Sequence, residues 1–350
     1  LSFEACPELS VIVPVLDEAR NIAPFLRGIS LQREVRMELI VSDGGSSDDT
    51  VEAVSTLGLG LEFPVRVITG AKGRAGQMNL AARAACSPTL LFLHIDSSFP
   101  DPRSFRKALD ALAAADPRGT AKVAGRFSLQ FDFDHRPPLA YRFYGAKATL
   151  DRPGCTHGDQ GLLIGEQFFR ELCGFPEQLP FMEDTLLAER VRKEGRWLLL
   201  PARIKTSPRR FLTEGLLPRQ TLNAMLMNLV AIGELELIAA LKDCYRSQQT
   251  TGRLQLGPML AALSRRIAQL PLAARMRLWY ATGSYARSNA WQIPFFFDLL
   301  LGGVSEGKGG KLLAFHDRFL QRLIDNKAGN CAAAALSRIC FDLARLAWRN

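Results

Sequence analysis

The feature that most constrains this chain is a unit repeated through its first hundred residues. A short apolar run leads into an acidic or glycine-rich turn, and the turn into a segment with apolar residues at helical spacing. "LSVIVPVLDEA" ends its β-branched run at Pro14, Asp17 and Glu18 and passes into "NIAPFLRGI". "MELIVSDGGSSDDTVEAV" repeats the pattern, with Asp49 and Glu52 spaced as a D-x-x-E capping box that sets a helix start. "VRVITG", "AKGRAGQMNLAARAA" and "TLLFLHIDSS" follow as strand, glycine-rich loop with helix, and strand. Uninterrupted apolar runs are strands covered on both faces, so the alternation predicts a parallel, doubly wound α/β sheet with right-handed crossovers.

In such sheets ligands bind outside the carboxyl ends of the strands. That edge collects Glu18, Asp43, Arg74 and Asp96. In "LLFLHIDSS", residues Leu90 to Ser98, the i, i+2 spacing of His94 and Asp96 would turn both to one face at the strand's end. A plainer reading makes Asp96 a turn cap and His94 a hydrogen-bonded core residue, and Asp43 in "SDGGSSDD" serves equally well as a turn former. "GAKGRAG" (70–76) has glycines suited to a phosphate-contacting loop, but does not fit G-x-G-x-x-G and is also an ordinary strand-to-helix turn.

Beyond residue 100, "SFRKALDALAAA" predicts a helix and the alternation in "KVAGRFSLQFDFD" an antiparallel strand. After "GCTHGDQGLLIGEQFFREL", the stretch "FPEQLPFMEDTLLAERVRKEGRWLLLPARI" reads as an acidic turn, an amphipathic helix with Leu187 and Val191 in its buried stripe, and a strand. From about Glu214 to Asn350 the pattern is mainly helical, with breaks expected near Gly252, Pro271, Pro294 and the glycines at 302–310. Two domains are expected, residues 1–215 and 216–350.

The 350 residues are 47% hydrophobic and 23% charged, the balance of a packed globular protein. Seven scattered cysteines without a C-x-x-C pair read as reduced thiols in a cytosolic setting without a zinc site. No stretch reaches the ~18 uninterrupted apolar residues of a spanning helix. The chain starts at Leu1 without a basic-then-apolar leader, which is compatible with a removed targeting segment. Residues 251–350 hold 14 Lys+Arg against 5 Asp+Glu and carry the whole net charge of +9, the rest being balanced at 30 and 30. Those basic residues lie among leucines and alanines at helical spacing ("LSRRIAQLPLAARMRLWY"). This fits an anionic membrane surface or a partner helix better than nucleic acid, or only a solvated face, and the membrane reading implies a cytoplasmic location peripheral to the membrane.

No G-x-S-x-G, H-E-x-x-H or P-loop motif is present. Carboxylates at two strand ends suit a ligand with hydroxyls and a metal-bridged diphosphate, in which phosphate oxygens complete the coordination of Mg²⁺ or Mn²⁺. Glu183 and Asp184 open a helix, where the macrodipole favours acids in any case; facing a diphosphate site, Asp184 would take a proton from an acceptor hydroxyl. Arg209 and Arg210 in "SPRRF" would match a departing diphosphate, or be surface residues.

In this order the pieces resemble a family 2 glycosyltransferase of GT-A fold. "SVIVPVLDEARNI" resembles that family's V-P-x-x-N-E segment, "LIVSDGGSSDDT" its V-D-D-G-S-x-D-x-T, and "GRAGQMNLA" its G-x-A-x-A-x-N. "LFLHIDSS" resembles its D-x-D strand and "MEDTLLAERVRKEGR" its E-D helix. The chain is most similar to a bacterial subgroup associated with radical-SAM/selenoprotein-type domains. The resemblance covers roughly residues 9–215. It implies a Rossmann-like, mainly parallel sheet with a helical C-terminal extension, and inverting transfer of a sugar from a nucleotide-diphosphate donor to a hydroxyl acceptor, lipid-linked or amphipathic. Carried over by position, it implies that Pro14, Glu18, Asp43 and Arg74 hold the donor nucleoside, Asp96 the metal and diphosphate, and that Asp184 is the base. His94 stands where the first D-x-D aspartate belongs, and Asp17 where an asparagine precedes Glu18. Two other readings compete: a nucleotidyltransferase on a similar fold, which would need no acceptor base, and a non-catalytic nucleotide- or membrane-binding module.

Overall fold

In a computed structural model, which describes residues 6–119, 122–179, 181–241, 244 and 252–348, the apolar runs form one seven-stranded sheet. Its strands are β1 (Leu9–Val15), β2 (Met37–Asp43), β3 (Val65–Thr69), β4 (Thr89–Phe92), β5 (Val123–Phe131), β6 (Leu162–Gly165) and β7 (Arg196–Thr206), in the order β3-β2-β1-β4-β6-β5-β7. Pairing is parallel from β3 through β4 and again between β5 and β7; β6 alone runs against its neighbours. β1 and β2 are buried almost end to end, as expected of strands covered on both faces. β5 was expected to be antiparallel by its alternation. It is antiparallel to β6 only and parallel to β7, and all its residues but Gln130 are buried, so both of its faces are covered.

The crossovers are α1 (Ala19–Ser30), α2 (Thr50–Gly58), α3 (Arg74–Ala84) and α4 (Ser104–Ala115), with α5 (Leu139–Ala148), α6 (Glu166–Glu171) and α7 (Glu183–Glu194) between the later strands. Leu187 and Val191 of α7 are fully buried, which fixes the helix's inner face. The capping box expected at Asp49 and Glu52 does not form. Asp49 holds the N-cap position without a side-chain bond, and Asp48 instead accepts from the backbone N–H of Thr50 at 3.1 Å and of Ala19 at 3.2 Å. One carboxylate thereby serves the starts of two helices, a demand that the local D-x-x-E spacing does not reveal.

The chain divides into two units. The first comprises residues up to Gln178 and Glu183–Ser207; the second comprises Leu179–Met182 and everything from Pro208. The second unit is helical: α8 (Arg209–Glu214), α9 (Leu216–Ala231), α10 (Leu235–Ala239), α11 (Leu256–Gln269), α12 (Leu272–Ser288), α13 (Gln292–Leu300), α14 (Lys311–Phe315), a π turn at His316–Leu320, α15 (Gln321–Ile324) and α16 (Lys327–Ala347). Its own core gathers Leu222, Leu226, Leu237, Leu256, Met259 and Leu263. Gly252 adopts φ 73°, and Pro271 caps α12, as breaks there require. The break expected near Pro294 falls just before it, between Ser288 and Gln292. Pro294 falls in the first turn of α13, where a backbone N–H has no intrahelical partner to lose. Among the described residues no helix is long and apolar enough to cross a membrane.

Candidate active site

The sheet order reverses at β1, and the loops that follow β1, β2 and β4 are sewn together there by side chains. Asp17, at φ 54°, accepts from the backbone N–H of Ser47 at 2.7 Å, and the N–H of Glu18 donates to Thr50 Oγ1 at 2.8 Å. Asp43 is buried, and its carboxylate accepts from the backbone of Gly45 at 2.9 Å and of Ser46 at 3.1 Å, so it builds the turn that carries residues 44–46. Pro14 is half-buried at the end of β1, and Glu18 accepts from the side chain of Asn21. Two buried amides on α3 hold the frame. Gln77 Nε2 donates to the carbonyls of Val15 at 2.8 Å and Ser42 at 2.7 Å, joining the ends of β1 and β2. Asn79 makes a two-way pair with the backbone of Phe175 and donates to Glu177 at 2.8 Å.

Arg74, the first residue of α3, is the hub of the polar cluster. Its guanidinium donates to Nε2 of His94, and its Nε lies 3.3 Å from Glu183 Oε1. The strand expected to carry His94 and Asp96 ends at Phe92. Both residues sit on the turn beyond it, closed by Ser97 N–H to the His94 carbonyl at 3.1 Å and His94 N–H to Ser97 Oγ at 3.2 Å. The pleat therefore does not set their directions; the turn does.

Asp184 begins α7 and accepts from the backbone N–H of Gly158 at 2.7 Å and of Thr185 at 2.8 Å. Burial opposes its charge, but Arg74, His157, the Gly158 N–H and His94 outweigh that and hold the carboxyl below its ordinary range. The loop that supplies Gly158 is itself pinned. Gln160, fully buried, donates to the carbonyls of Ala148 at 2.7 Å and Phe127 at 3.3 Å and accepts from the His157 N–H at 3.0 Å. A Cβ at Gly158 would lie 2.6 Å from Arg74 Nη2, 2.7 Å from Asp184 Oδ2 and 3.0 Å from His94 Nε2, so this glycine stands where the three side chains converge. A cavity opens against the cluster, with Arg74, His94, His157 and Asp184 on its polar wall and Phe92 and Trp197 on its apolar wall.

Two further titratable groups share this environment. Burial and the neighbouring Lys147 lower the His157 imidazole to about 4, against the pull of Asp184, so it is neutral at pH 7. Burial, then Asp184 and Asp96, push Asp159 up to about 7, with Arg74 opposing. Asp159 Oδ1 is buried with no hydrogen-bond partner among the described residues. Three carboxyls with one arginine between them leave negative charge that a cation would relieve. No three His, Cys, Asp or Glu side chains among the described residues converge on one point, so a divalent ion would fit only with a ligand's phosphate oxygens completing its shell.

Of the residues expected from sequence, Arg74, His94 and Asp184 come together, and Asp96 lies close enough to act on Asp159. Asp43 and Glu18 are engaged in the neighbouring loops. Arg209 and Arg210 belong to the second unit, where Arg210 pairs with Glu214 at 3.0 Å. His157, Gly158, Asp159 and Gln160 were missed. The signal was the run "THGDQG", polar and glycine-flanked directly before an apolar strand.

Residues 10–165 match the model of a family described as glycosyl transferase family 2, while a search of curated proteins finds no match. Among solved structures, mannosyltransferase PcManGT from Pyrobaculum calidifontis, in complex with GDP-Man and Mn²⁺, is 18% identical with a TM-score of 0.49, over 96% of this chain and 88% of that one. S. aureus TarS 1-349 in complex with UDP is 16% identical with a TM-score of 0.48, over 95% and 91%. The family match runs from β1 to the end of β6, across all but the last strand of the sheet, so what it covers is similar to a glycosyl transferase family 2 domain.

Proposed function

We propose that the chain transfers a sugar, with inversion, from a nucleotide-diphosphate donor to a hydroxyl acceptor that is lipid-linked or amphipathic. The observation that carries this reading is the convergence of Asp184, Arg74 and His94 around Gly158, beside Asp96 and at the carboxyl edge of the sheet. Arg74, together with the loops of Pro14, Glu18 and Asp43, binds the nucleoside. Asp96 would hold Mn²⁺ or Mg²⁺, and the ion when bound neutralises the diphosphate. Asp184, kept ionised by its neighbours, accepts the acceptor's hydroxyl proton. The acceptor oxygen then bonds to the anomeric carbon from the side opposite the diphosphate, the bond from that carbon to the phosphate oxygen breaks, and the nucleoside diphosphate leaves with the electron pair. His157, neutral at pH 7, adds no charge beside the base.

The testing experiment is thermal stability against a panel of nucleotide sugars and nucleoside diphosphates, each with Mn²⁺, Mg²⁺ or chelator. A ligand at about 100 times its Kd adds about 2.7 kcal/mol to the folded state. A metal-dependent shift with one nucleotide class is expected; no shift with any of them would remove the donor site. The acceptor is proposed to reside at an anionic membrane surface contacted by residues 251–350.

A further inference from the structure

Part of the second unit is built inside out. α13 carries a single charge, Asp298, and buries it: Asp298 is 3% exposed and accepts from the backbone N–H of Leu312 at 2.9 Å and Leu313 at 2.7 Å. Phe295 is buried beside it, but an apolar stripe of the same helix faces outward, with Ile293 64%, Phe297 49%, Leu300 50% and the following Leu301 77% exposed. Their spacing of i, i+4, i+7 and i+8 is one helical face. The segment Lys311–Ile324 repeats the inversion, since His316 is 3% exposed while Phe315, Phe319 and Leu323 are 51%, 52% and 72% exposed. A helix facing water sorts its residues the other way, and clustered exposed phenylalanine and leucine mark a surface meant for an apolar medium.

Because Asp298 caps the start of α14, the two arms are tied together, and the stripes are held out by a built contact. Lys308, Lys311, Arg318 and Arg322 are exposed on the turn between the arms and on the second arm, none with an ion pair among the described residues, and they outnumber the exposed acids there, Glu306 and Asp317. Residues 251–350 as a whole carry 14 basic against 5 acidic side chains. A region with this net positive charge repels a second copy of itself, whereas an anionic bilayer attracts it, and the hairpin shares the sign of that charge. No described helix is both long and apolar enough to span, and the two arms are short, so the element would lie in the interface plane.

We propose that residues 292–324 are a membrane-docking hairpin that buries Phe297, Leu300, Leu301, Phe315, Phe319 and Leu323 among the acyl chains of an anionic bilayer, with its lysines and arginines at the headgroups. This deepens the acceptor reading above, but docking is measured without activity and stands or falls separately.

The test floats the full chain with vesicles of phosphatidylcholine alone and of phosphatidylcholine with one quarter phosphatidylglycerol. The chain should bind the anionic vesicles, less so in high salt. Combined Phe297→Ser, Phe319→Ser and Leu323→Ser should lower partitioning by roughly tenfold or more, since each side chain leaves the acyl region. Because these positions are exposed, the melting temperature and any nucleotide-induced shift should match the parent, and that comparison reads the donor site independently. Absence of binding to anionic vesicles, or equal binding by the triple variant, would overturn the proposal. So would a lipid-free dimer that the same substitutions dissolve, which would make the occupant a second copy of this chain.

Discussion

Each unit seats a carboxylate, half-buried Asp184 or buried Asp298, on backbone N–H groups, and the two differ in what surrounds the charge. Asp184 accepts from Gly158 and Thr185 and has Arg74, His94, His157 and Asp159 as titratable neighbours beside a cavity. Asp298 accepts from the backbone N–H groups of Leu312 and Leu313 and packs near Gly310. A carboxylate in mixed ionisable company is poised for proton transfer. One that only closes a helix start is scaffold, and its use is felt at the surface it holds in place. In the first unit function is thus marked by charge gathered inside, and in the second by apolar surface left outside.

The sharpest way to break this contrast is Asp184→Asn. Transfer should fall by about 10²–10⁴-fold, while nucleotide-induced stabilisation stays within about twofold in Kd, because the base acts on the acceptor. Lost nucleotide binding would move Asp184 to the donor side. Next in size is Gly158→Ala. The glycine is not in the left-handed region, so the backbone tolerates alanine, but the new methyl meets Asp184 and Arg74 at 2.7 and 2.6 Å. A base displaced by a few tenths of an ångström should lower kcat by roughly 10–10²-fold. An unchanged kcat would show that the Gly158 contact does not align the base.

Much of the first unit is legible in the sequence because strands buried on both faces leave unbroken apolar runs, as in "LSVIVPV" and "MELIVSD". The direction of β6 is not legible. "LLIG" has the composition of its parallel neighbours, and direction follows from the turn at Gln160 and Gly161, not from side-chain pattern. At the site, Asp184 stands out in sequence only through the resemblance, since the macrodipole favours an acidic pair at the start of any helix. Gly158 and Gln160 were missed because they act through a backbone N–H and a buried amide. Gln77 and Asn79 read as ordinary polar helix residues, yet they hold the loops after β1, β2 and α6. "WQIPFFFDLLLGGV" carries a proline, near which a helix break is expected, and an aspartate. The structure uses the proline in the first turn and the aspartate as an inward cap, and nothing in the pattern tells which face an aspartate will take.

On the second unit's side of the comparison, Asp298→Ala removes the acceptor of two N–H groups at the start of α14. About 1–3 kcal/mol should be lost from the unfolding of the second unit, read by denaturant titration, with nucleotide binding by the first unit unchanged. Loss of nucleotide binding together with that stability would show that the two carboxylates are not separable in this way.

The smallest effect is in pH dependence and concerns Asp159. Its folded carboxyl titrates at about 7 and its ordinary value is 3.8, so between those limits the folded state holds a proton that the unfolded chain releases. Stability from this group therefore falls as pH rises from about 4 to about 7 and is level beyond. His157 acts oppositely: its imidazole is lowered from 6.5 to about 4, so the unfolded chain binds the extra proton and stability rises across that interval. The two slopes offset one another below pH 6.5. In Asp159→Asn only the histidine slope is left, so with chelator present the variant should gain on the parent as pH rises, by about 1–2 kcal/mol at pH 8 once partial solvent screening is allowed for. Added Mn²⁺ should close that gap by stabilising the parent more than the variant, since a cation beside Asp96 relieves the same repulsion that the proton relieves. Parallel pH profiles for the two proteins would mean that Asp159 is not coupled to Asp96 and Asp184, and would remove the excess charge on which the case for a divalent ion rests.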